Sequence, residues 1–170
     1  RALAVAQDAS GEEIARLYLV PQDSQDLINR ADLIELVTRI GGTMVTLIKE
    51  IGTDALFALH GLAHQMDASL GTNVLDRVRT FYKYCADNDL AVAVAQTDPK
   101  GDRALRPSEQ EHPDYYLRIV DRGKDGIVVR GAKLHTSVSV NSNELIVLPT
   151  RNLDERDSDY AVAFAVPMNT

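Results

Sequence analysis

The chain has 170 residues, of which 45% are hydrophobic and 25% are charged, and its formal net charge at pH 7 is -7. This composition predicts a folded chain with at least one substantial core. The negative charge and the lack of a long basic stretch exclude the electrostatic footprint of a nucleic-acid-binding protein. The single Cys85 cannot form an internal disulfide, so we expect a reducing, cytoplasmic location.

No apolar run reaches the roughly 20 residues that span a bilayer, and no charged-then-apolar leader opens the sequence. We therefore expect no membrane partner. The sequence begins at Arg1 without a methionine and stops just after a strand-like run. On this basis we expect a piece of a longer chain, in which residues outside these 170 complete the functional site.

The first half of the sequence has helical periodicity. Ser10 and Glu13 have the spacing of a capping box, which predicts a short helix closed by Pro21. A second helix carries an apolar stripe that starts at Leu27, and it should end at the glycine pair that begins with Gly41.

Two further helices are predicted after this pair. Apolar side chains recur at three- and four-residue steps from Met44 to Leu70, which predicts one long amphipathic helix. Asn73 can cap a fourth helix that ends near Asp87.

The second half changes to a strand-like pattern. The runs "LAVAVA", "YYLRIVDR", "GIVVRGAK", "ELIVLP" and "YAVAFAVP" predict strands, with a hairpin turn at 122–126 and a meander. In the last run, bulky side chains alternate with alanines. Helices followed by strands indicate an α+β fold or two separate domains, and we place the boundary near residue 90, with a helical domain at 1–89 and a β domain at 90–170.

The polar block "TDPKGDR" interrupts two predicted strands and has two interpretations. It can be an ordinary polar connection, because Asp-Pro and Lys-Gly-Asp are common in turns. It can also bind a flat or anionic ligand. Gly101 would let the backbone approach such a ligand, Lys100 and Arg103 supply positive charge, and Thr97 and Asp98 supply hydrogen-bonding groups.

A second polar cluster, "KLHTSVSVNSNE", interrupts a predicted strand and the turn after it. The cluster fits a solvated strand edge. If it lies beside the first block, the two together would form one hydrogen-bonding wall. The sequence therefore leaves open whether the two polar clusters have a structural role or bind a ligand.

Other candidate groups fit structural roles better. His60 and His64 have metal-ligand spacing on the long helix, but no Glu completes an H-E-x-x-H motif, so a structural or interface pair is the better interpretation. Glu50 fits a solvated helix-face carboxylate. The sequence singles out no catalytic residue and no metal site.

Long blocks of the chain resemble one family. The blocks are "DALFALHGLAHQMDASLGTN", the stretch from "YKYCADNDLAVAVAQTDPKGDR" through "DGIVVRGAKLHTSVSVNSNELIVLPT", and "DYAVAFAVP". They resemble the family that joins 4-hydroxyphenylacetate 3-hydroxylases, which are flavin-dependent oxygenase components, to 4-hydroxybutyryl-CoA dehydratase. The dehydratase is the more similar of the two in "TDPKGDR" and "DGIVVRGAK".

The resemblance implies a fold like that of acyl-CoA dehydrogenases: an N-terminal helical domain, a middle antiparallel β-barrel or sandwich, and a C-terminal bundle that drives homotetramer formation. The present chain would hold an incomplete first domain and part of the second. The resemblance also implies FAD as the cofactor. The positions that match its FAD contacts are Gln96, Thr97, Asp98, Lys100, Gly101, Asp102, Arg103, His135, Thr136 and Ser137.

The chain departs from both branches of this family. The dehydratase holds a [4Fe-4S] cluster with a pair of cysteines whose equivalents here are Thr46 and Glu50, and neither supplies a thiolate. The hydroxylases hold the substrate phenol with a histidine, an arginine and a tyrosine. The position that matches the histidine is Val94, and Ile51 and Ala55 lie near the positions of the arginine and the tyrosine.

Three functions are therefore expected in decreasing order. The first is a two-component monooxygenase that takes reduced FAD from a separate flavin reductase and hydroxylates an aromatic or similar small substrate. The second is a dehydratase or isomerase of CoA thioesters that works without the cluster. The third is a non-catalytic paralogue that keeps the fold.

Overall fold

The computed structural model describes residues 3–42 and 47–169, and these residues form both helices and sheets. The helices are α1 (Ser24–Ile40), α2 (Leu47–Leu70) and α3 (Val74–Asp87). The strands are β1 (Val5–Gln7), β2 (Glu13–Ala15), β3 (Val92–Ala95), β4 (Arg118–Gly123), β5 (Gly126–Arg130), β6 (Glu144–Val147) and β7 (Phe164–Pro167). The α+β composition predicted from the sequence is confirmed.

The predicted first helix is wrong. Residues 5–15 form an antiparallel hairpin of β1 and β2, followed by a 3-10 helix at Arg16–Tyr18. The carboxylate of Asp8 accepts the amide N–H of Ser10 at 2.8 Å and its hydroxyl at 2.6 Å. Ser10 therefore belongs to a turn stabilised by an aspartate and does not cap a helix.

The other predicted helices are confirmed where the structure describes them. α1 ends at Gly41, as expected, and α2 ends before Gly71. The cap of α3 differs from the prediction, because the side chain of Asn73 makes no capping hydrogen bond. Instead, the carboxylate of Asp67 at the end of α2 accepts the N–H groups of Val74 and Leu75 at 2.8 and 2.9 Å. Met44 lies outside the described residues.

The strands do not form the expected antiparallel barrel or simple meander. β3 pairs in parallel with β6, and β6 pairs antiparallel with β7, so the central sheet is mixed, with the order β3-β6-β7. Parallel pairing follows because the long connection at 96–143 returns the chain in its original direction. The hairpin of β4 and β5 lies inside this connection as a separate sheet. Across 3–42 and 47–169, no sheet closes into a barrel.

Two predicted strand regions are shorter than expected. The cluster after Lys133 is irregular backbone and a turn, followed by a 3-10 helix at Ser139–Asn141, instead of an interrupted strand. In "YAVAFAVP", only β7 is a strand, and Tyr160 ends a 3-10 helix. The alternation still governs burial, since Tyr160 and Val162 are buried while the intervening alanines are exposed.

The hydrophobic core joins the helices to the central sheet. Tyr18, Leu56, Cys85, Val92 and Ile146 are each at most 2% exposed and form one cluster. This cluster includes side chains from both sides of residue 90, where the sequence predicts a domain boundary, and that boundary stays a prediction. Within the part of the chain that the structure describes, no helix has the length and apolar character needed to cross a bilayer.

α2 packs directly on β3 because a glycine faces the strand. A Cβ atom on Gly52 would lie 2.3 Å from the carbonyl oxygen of Val92. The side chain of Tyr18 closes the same region, since its hydroxyl donates to the carbonyl oxygen of Leu90 at 2.6 Å. The start of β3, and with it the loop that follows the strand, therefore has a fixed position relative to the helices.

Candidate functional site

The two polar segments of the sequence lie side by side. The amide N–H of Leu134 donates to the carbonyl oxygen of Thr97 at 2.7 Å, just beyond the end of β3. Next to this hydrogen bond, Lys133 and Asp98 form an ion pair with a distance of 2.8 Å. The residues that lead into the segment beginning at His135 are therefore neighbours of the loop after Gln96.

Asp98 is turned into the protein and is only 3% exposed. Besides Lys133, its carboxylate accepts the amide N–H of Leu117 at 3.1 Å and the hydroxyl of Thr150. These partners come from the segment after β5, from the residue just before β4 and from the segment after β6. The carboxylate thus joins three chain segments beneath the loop, a role that the sequence did not indicate.

Lys133 is a structural residue that the sequence analysis missed. Its side chain is 9% exposed, and its Nζ also donates to the carbonyl oxygens of Gln96 at 3.0 Å and Leu148 at 2.8 Å. All three ammonium donors therefore have acceptors. A lysine that follows "GIVVRGA" is typical of the solvated end of a strand, so the local sequence does not indicate that Lys133 is buried and paired.

The tip of the loop has an unusual backbone. Lys100 and Gly101 both have positive φ angles, of 77° and 54°. A Cβ on Gly101 would lie 2.4 Å from Oε1 of Gln110 and 2.5 Å from the ring of Tyr115. The glycine is therefore required by the packing of the loop against its own neighbours, a reason that the sequence analysis did not give, and close approach of a ligand stays a prediction.

The polar groups of Asp102 also make hydrogen bonds within the loop and to Gln110. Its carboxylate accepts the N–H of Ala104 at 2.8 Å, while its backbone N–H donates to Gln110 at 3.0 Å. The Nε2 of Gln110, which is 8% exposed, returns a hydrogen bond to the carbonyl oxygen of Asp102 at 2.7 Å. This two-way contact keeps the tip in one conformation.

The remaining predicted contact residues have side chains that are available to a ligand. The guanidinium of Arg103 is exposed, and it makes no hydrogen bond or ion pair to any described residue. The same holds, within 3–42 and 47–169, for the side chains of Gln96, Thr97, Lys100, His135, Thr136 and Ser137. The site therefore contains two free cationic groups on the loop and free hydroxyl and imidazole groups on the segment beside it.

A second strained backbone position lies on the segment beside the loop. His135 has a φ angle of 59°, in the left-handed region that residues other than glycine seldom occupy. Lys100, on the neighbouring loop, has the same property. Such positions are concentrated at binding and catalytic sites, because a ligand gains from side chains that are already oriented.

The far end of the loop is attached to the segment before β7. Asp157 has no exposed surface, and it accepts the N–H and the hydroxyl of Ser108 at 3.1 and 2.7 Å, and Nε of Arg106 at 2.8 Å. Burial raises the pKa of the Asp157 carboxyl, but the hydrogen bonds from Ser108 and Arg106 outweigh burial, so the pKa is below its ordinary value. The sequence analysis did not find this contact.

The other candidate groups remain separate from this site. Among the described residues, no three His, Cys, Asp or Glu side chains come together to hold a metal ion. Burial, with a smaller contribution from the nearby Glu144, raises the pKa of the Cys85 thiol to about 12, so this thiol stays protonated. Thr46, one of the two positions equivalent to cluster cysteines, lies outside the described residues.

The three positions that depart from the hydroxylase pattern are apolar in the structure as well. Val94 and Ala55 are half-buried and pack against the core cluster, while Ile51 is 42% exposed on α2. None of them can donate a hydrogen bond from its side chain to a phenol oxygen.

A protein-family model described as "4-hydroxyphenylacetate 3-hydroxylase N terminal" matches residues 1–170. The chain belongs to this family. A curated relative named 4-hydroxybutyryl-CoA dehydratase/vinylacetyl-CoA-Delta-isomerase, from Clostridium aminobutyricum, is 42% identical over 157 residues, which are 92% of this chain and 32% of the relative. The oxygenase component of 4-hydroxyphenylacetate 3-monooxygenase from Thermus thermophilus is 30% identical over 163 residues, 96% of this chain and 33% of that protein.

Solved structures of family members have the same fold. An oxygen-tolerant archaeal 4-hydroxybutyryl-CoA dehydratase from N. maritimus superposes with a TM-score of 0.91 at 34% identity, over 98% of this chain and 33% of that one. The oxygenase component HpaB of 4-hydroxyphenylacetate 3-monooxygenase, complexed with FAD, superposes with a TM-score of 0.75 at 27% identity, over 100% of this chain and 34% of HpaB. The chain thus spans about a third of the length of these relatives.

Proposed function

We propose that this chain is the FAD-binding part of a monooxygenase component that uses reduced flavin to hydroxylate an aromatic or related small substrate. The observation that carries the proposal is the hydrogen bond from Leu134 to Thr97, which joins the loop at 96–103 to the segment that continues into 135–137; both carry side chains without a partner among the described residues. Family members of the HpaB type have been crystallised with FAD, which supports this cofactor.

The donors on this surface fit a flavin. An FAD molecule carries anionic phosphates and a ring whose edge accepts hydrogen bonds, and Lys100, Arg103, Thr136 and Ser137 offer matching donors. Gln96, Thr97 and His135 would add contacts at the edge of the site. Asp98 and Asp102 would act through the shape of the loop, because their carboxylates already have partners within the protein, and Gly101 would act through its close packing.

Each group would have a limited role in the reaction. Bound in its reduced form, FAD supplies the electrons that let molecular oxygen react with the substrate. Arg103 and Lys100 would hold the anionic parts of the cofactor, and the hydroxyls beside His135 would orient the ring. The proposal assigns no catalytic residue.

The wider assignment follows from the family. We infer an acyl-CoA dehydrogenase-like fold in the whole protein, with residues 1–89 in the N-terminal helical domain and 90–170 in a middle β domain that further chain completes. The mixed sheet of β3, β6 and β7 would be part of that domain. A flavin reductase partner, a homotetramer, a small-molecule substrate and a cytoplasmic location belong to the same proposal.

A second candidate is a dehydratase or isomerase of CoA thioesters. The 42% identity to the clostridial dehydratase and the TM-score of 0.91 to the archaeal one support it. The described residues do not fit a cysteine-held iron–sulfur cluster, since Glu50 offers a carboxylate and Cys85 lies buried in the core. Any such activity would therefore run without a cluster held in that way.

An absorption spectrum of the full-length protein, oxidised and then reduced under nitrogen, tests both candidates. We expect flavin bands without a broad iron–sulfur shoulder, and oxygen consumption coupled to hydroxylation when reduced FAD is supplied. Turnover of a 4-hydroxyacyl-CoA under nitrogen would favour the second candidate. A colourless protein whose thermal stability does not rise with added FAD would contradict both and would point to a non-catalytic paralogue.

A further inference from the structure

The loop that carries Lys100 and Arg103 is attached to the protein at both ends. At its start, Asp98 is bound by Lys133. At its end, Arg106 and Ser108 are bound by the carboxylate of Asp157. Between them, the side chain of Gln110 binds the backbone of both Asp102 and Arg106, so the attachment at Arg106 also helps to determine where Arg103 is placed.

The second attachment extends over a whole segment. Nη1 of Arg151 donates to the carbonyl oxygen of Leu105 at 2.9 Å, and Arg156 lies 3.4 Å from the carboxylate of Glu109. Asp157 is the buried charged residue of this segment and belongs to the 3-10 helix Glu155–Tyr160. The exposed pairs are weak because solvent screens them, whereas the hydrogen bonds of a buried carboxylate are directional and strong.

The position of this attachment relative to Arg103 matters. Arg106 follows Arg103 by three residues, a chain length of about 10 Å when fully extended. Asp157 accepts Nε of Arg106 on one oxygen and the N–H of Ser108 on the other, so it restrains both the position and the direction of the chain there. A displacement of Arg106 would therefore move Arg103.

We propose that Asp157 is a positioning residue of the FAD site, which acts by holding Arg106 and Ser108 so that Arg103 reaches the cofactor. This inference rests on the proposed FAD site. Asp157 itself does not touch the cofactor, because its carboxylate is enclosed and both of its oxygens already accept hydrogen bonds.

The test uses the full-length protein with Asp157→Asn, and with Asp159→Asn as the matched control. Asparagine keeps the size of the side chain but turns an N–H donor toward the donors of Arg106 or Ser108. Asp159 lies in the same 3-10 helix and pairs with Arg122 at the surface, where its side chain is 58% exposed. FAD affinity is measured at a temperature where circular dichroism shows both variants folded.

We expect Asp157→Asn to weaken FAD binding about tenfold or more and to change the visible spectrum of bound FAD, while Asp159→Asn changes affinity less than about twofold. In an Arg103→Ala background, Asp157→Asn should weaken FAD binding by less than about threefold further, because the Arg103 side chain through which Asp157 acts is absent. A purely structural role would leave affinity and spectrum unchanged in the folded variant, or would give additive effects.

The outcomes separate this inference from the proposed function. A wild-type protein that binds no FAD overturns the proposed function and this inference with it. A wild-type protein that binds FAD, together with an Asp157→Asn variant of unchanged affinity or additive behaviour, overturns the inference alone. If Asp157→Asn fails to fold, Ser108→Ala removes only one of the hydrogen bonds, and it should weaken FAD binding in the same non-additive way.

Discussion

Lys133 and Asp98 form an ion pair 2.8 Å long, with side chains only 9% and 3% exposed. The pair connects the loop after β3 to the segment after β5, and Lys133 also binds the carbonyl oxygen of Leu148 after β6. One cation therefore connects the two segments of the candidate FAD site and also attaches them to the end of β6.

Replacing Lys133 by Met should destabilise the protein strongly. The substitution leaves the carboxylate of Asp98 buried without its cation, which typically costs about 3 to 5 kcal/mol. The free energy of unfolding from urea titration measures the effect. Lys124→Met, at an exposed hairpin turn, is the control and should change stability by less than about 0.5 kcal/mol. An equal effect of both substitutions would show that the buried pair contributes nothing.

Arg103→Ala should weaken FAD binding without affecting the fold. The guanidinium is exposed and has no partner among the described residues, so its loss removes only a charged hydrogen bond to the cofactor, about 1 to 3 kcal/mol. Isothermal titration of the full-length protein with FAD measures it, and Arg79→Ala on α3 is the control. Unchanged affinity would count against the assignment of Arg103.

Gly52→Ala should destabilise the protein, whereas Gly61→Ala should stabilise it. The new methyl group at Gly52 would lie 2.3 Å from a backbone carbonyl of β3, so α2 must shift, at a cost of about 1 to 3 kcal/mol. Gly61, in the same helix, has open space, and alanine there should stabilise by about 0.5 to 1 kcal/mol through helix propensity. Melting temperatures of the two variants provide the comparison, and stabilisation by both would contradict the packing of α2 on β3.

Asp67→Ala should lower the melting temperature, whereas Asn73→Ala should not. Asp67 caps α3, and the side chain of Asn73 makes no capping hydrogen bond. The hydrogen bond from the Thr72 hydroxyl, helped by the N–H groups of α3, lowers the pKa of the Asp67 carboxyl below 3.8. Its contribution to stability is therefore present above about pH 4 and is lost as the pH falls through the lowered pKa. The difference between wild type and Asp67→Ala should vanish in acid, and a difference that persists there would contradict this.

Cys85 should react slowly with iodoacetamide at about pH 8 in the native protein and rapidly in urea, because the thiolate is the reactive form. Burial raises the thiol pKa from 9.0 to about 12 in the folded state. As the pH rises, the thiol ionises in the unfolded state before it does so in the folded state. The contribution of the buried Cys85 thiol to stability is therefore full below about pH 9 and is lost as the pH rises toward 12. The stability difference between wild type and Cys85→Ala should narrow over that range. Fast native labelling would show that the core opens.

Much of the secondary structure could be predicted from local sequence. The periodic stripe of α2, the glycine after α1 and the turn between β4 and β5 are encoded within a few residues of where they act. The hairpin around Ser10 was missed because Asp8 offers a local turn that competes with the helix. The antiparallel barrel was wrong because the direction of β6 depends on the long connection before it, which no local pattern reports.

For the candidate site, the residue types of the two polar segments could be read from the sequence, whereas their proximity could only be stated as a condition. The tertiary structure alone decided how these residues are used: Asp98, Gly101 and Asp102 serve the loop, and the side chains of Arg103 and Thr136 stay free. It also revealed Lys133 and Asp157, whose ion pairs join residues 35 and 51 positions apart along the chain. Such partners meet only when the core has formed, because burial makes a lysine or an aspartate a structural residue, and burial is a property of the packed fold.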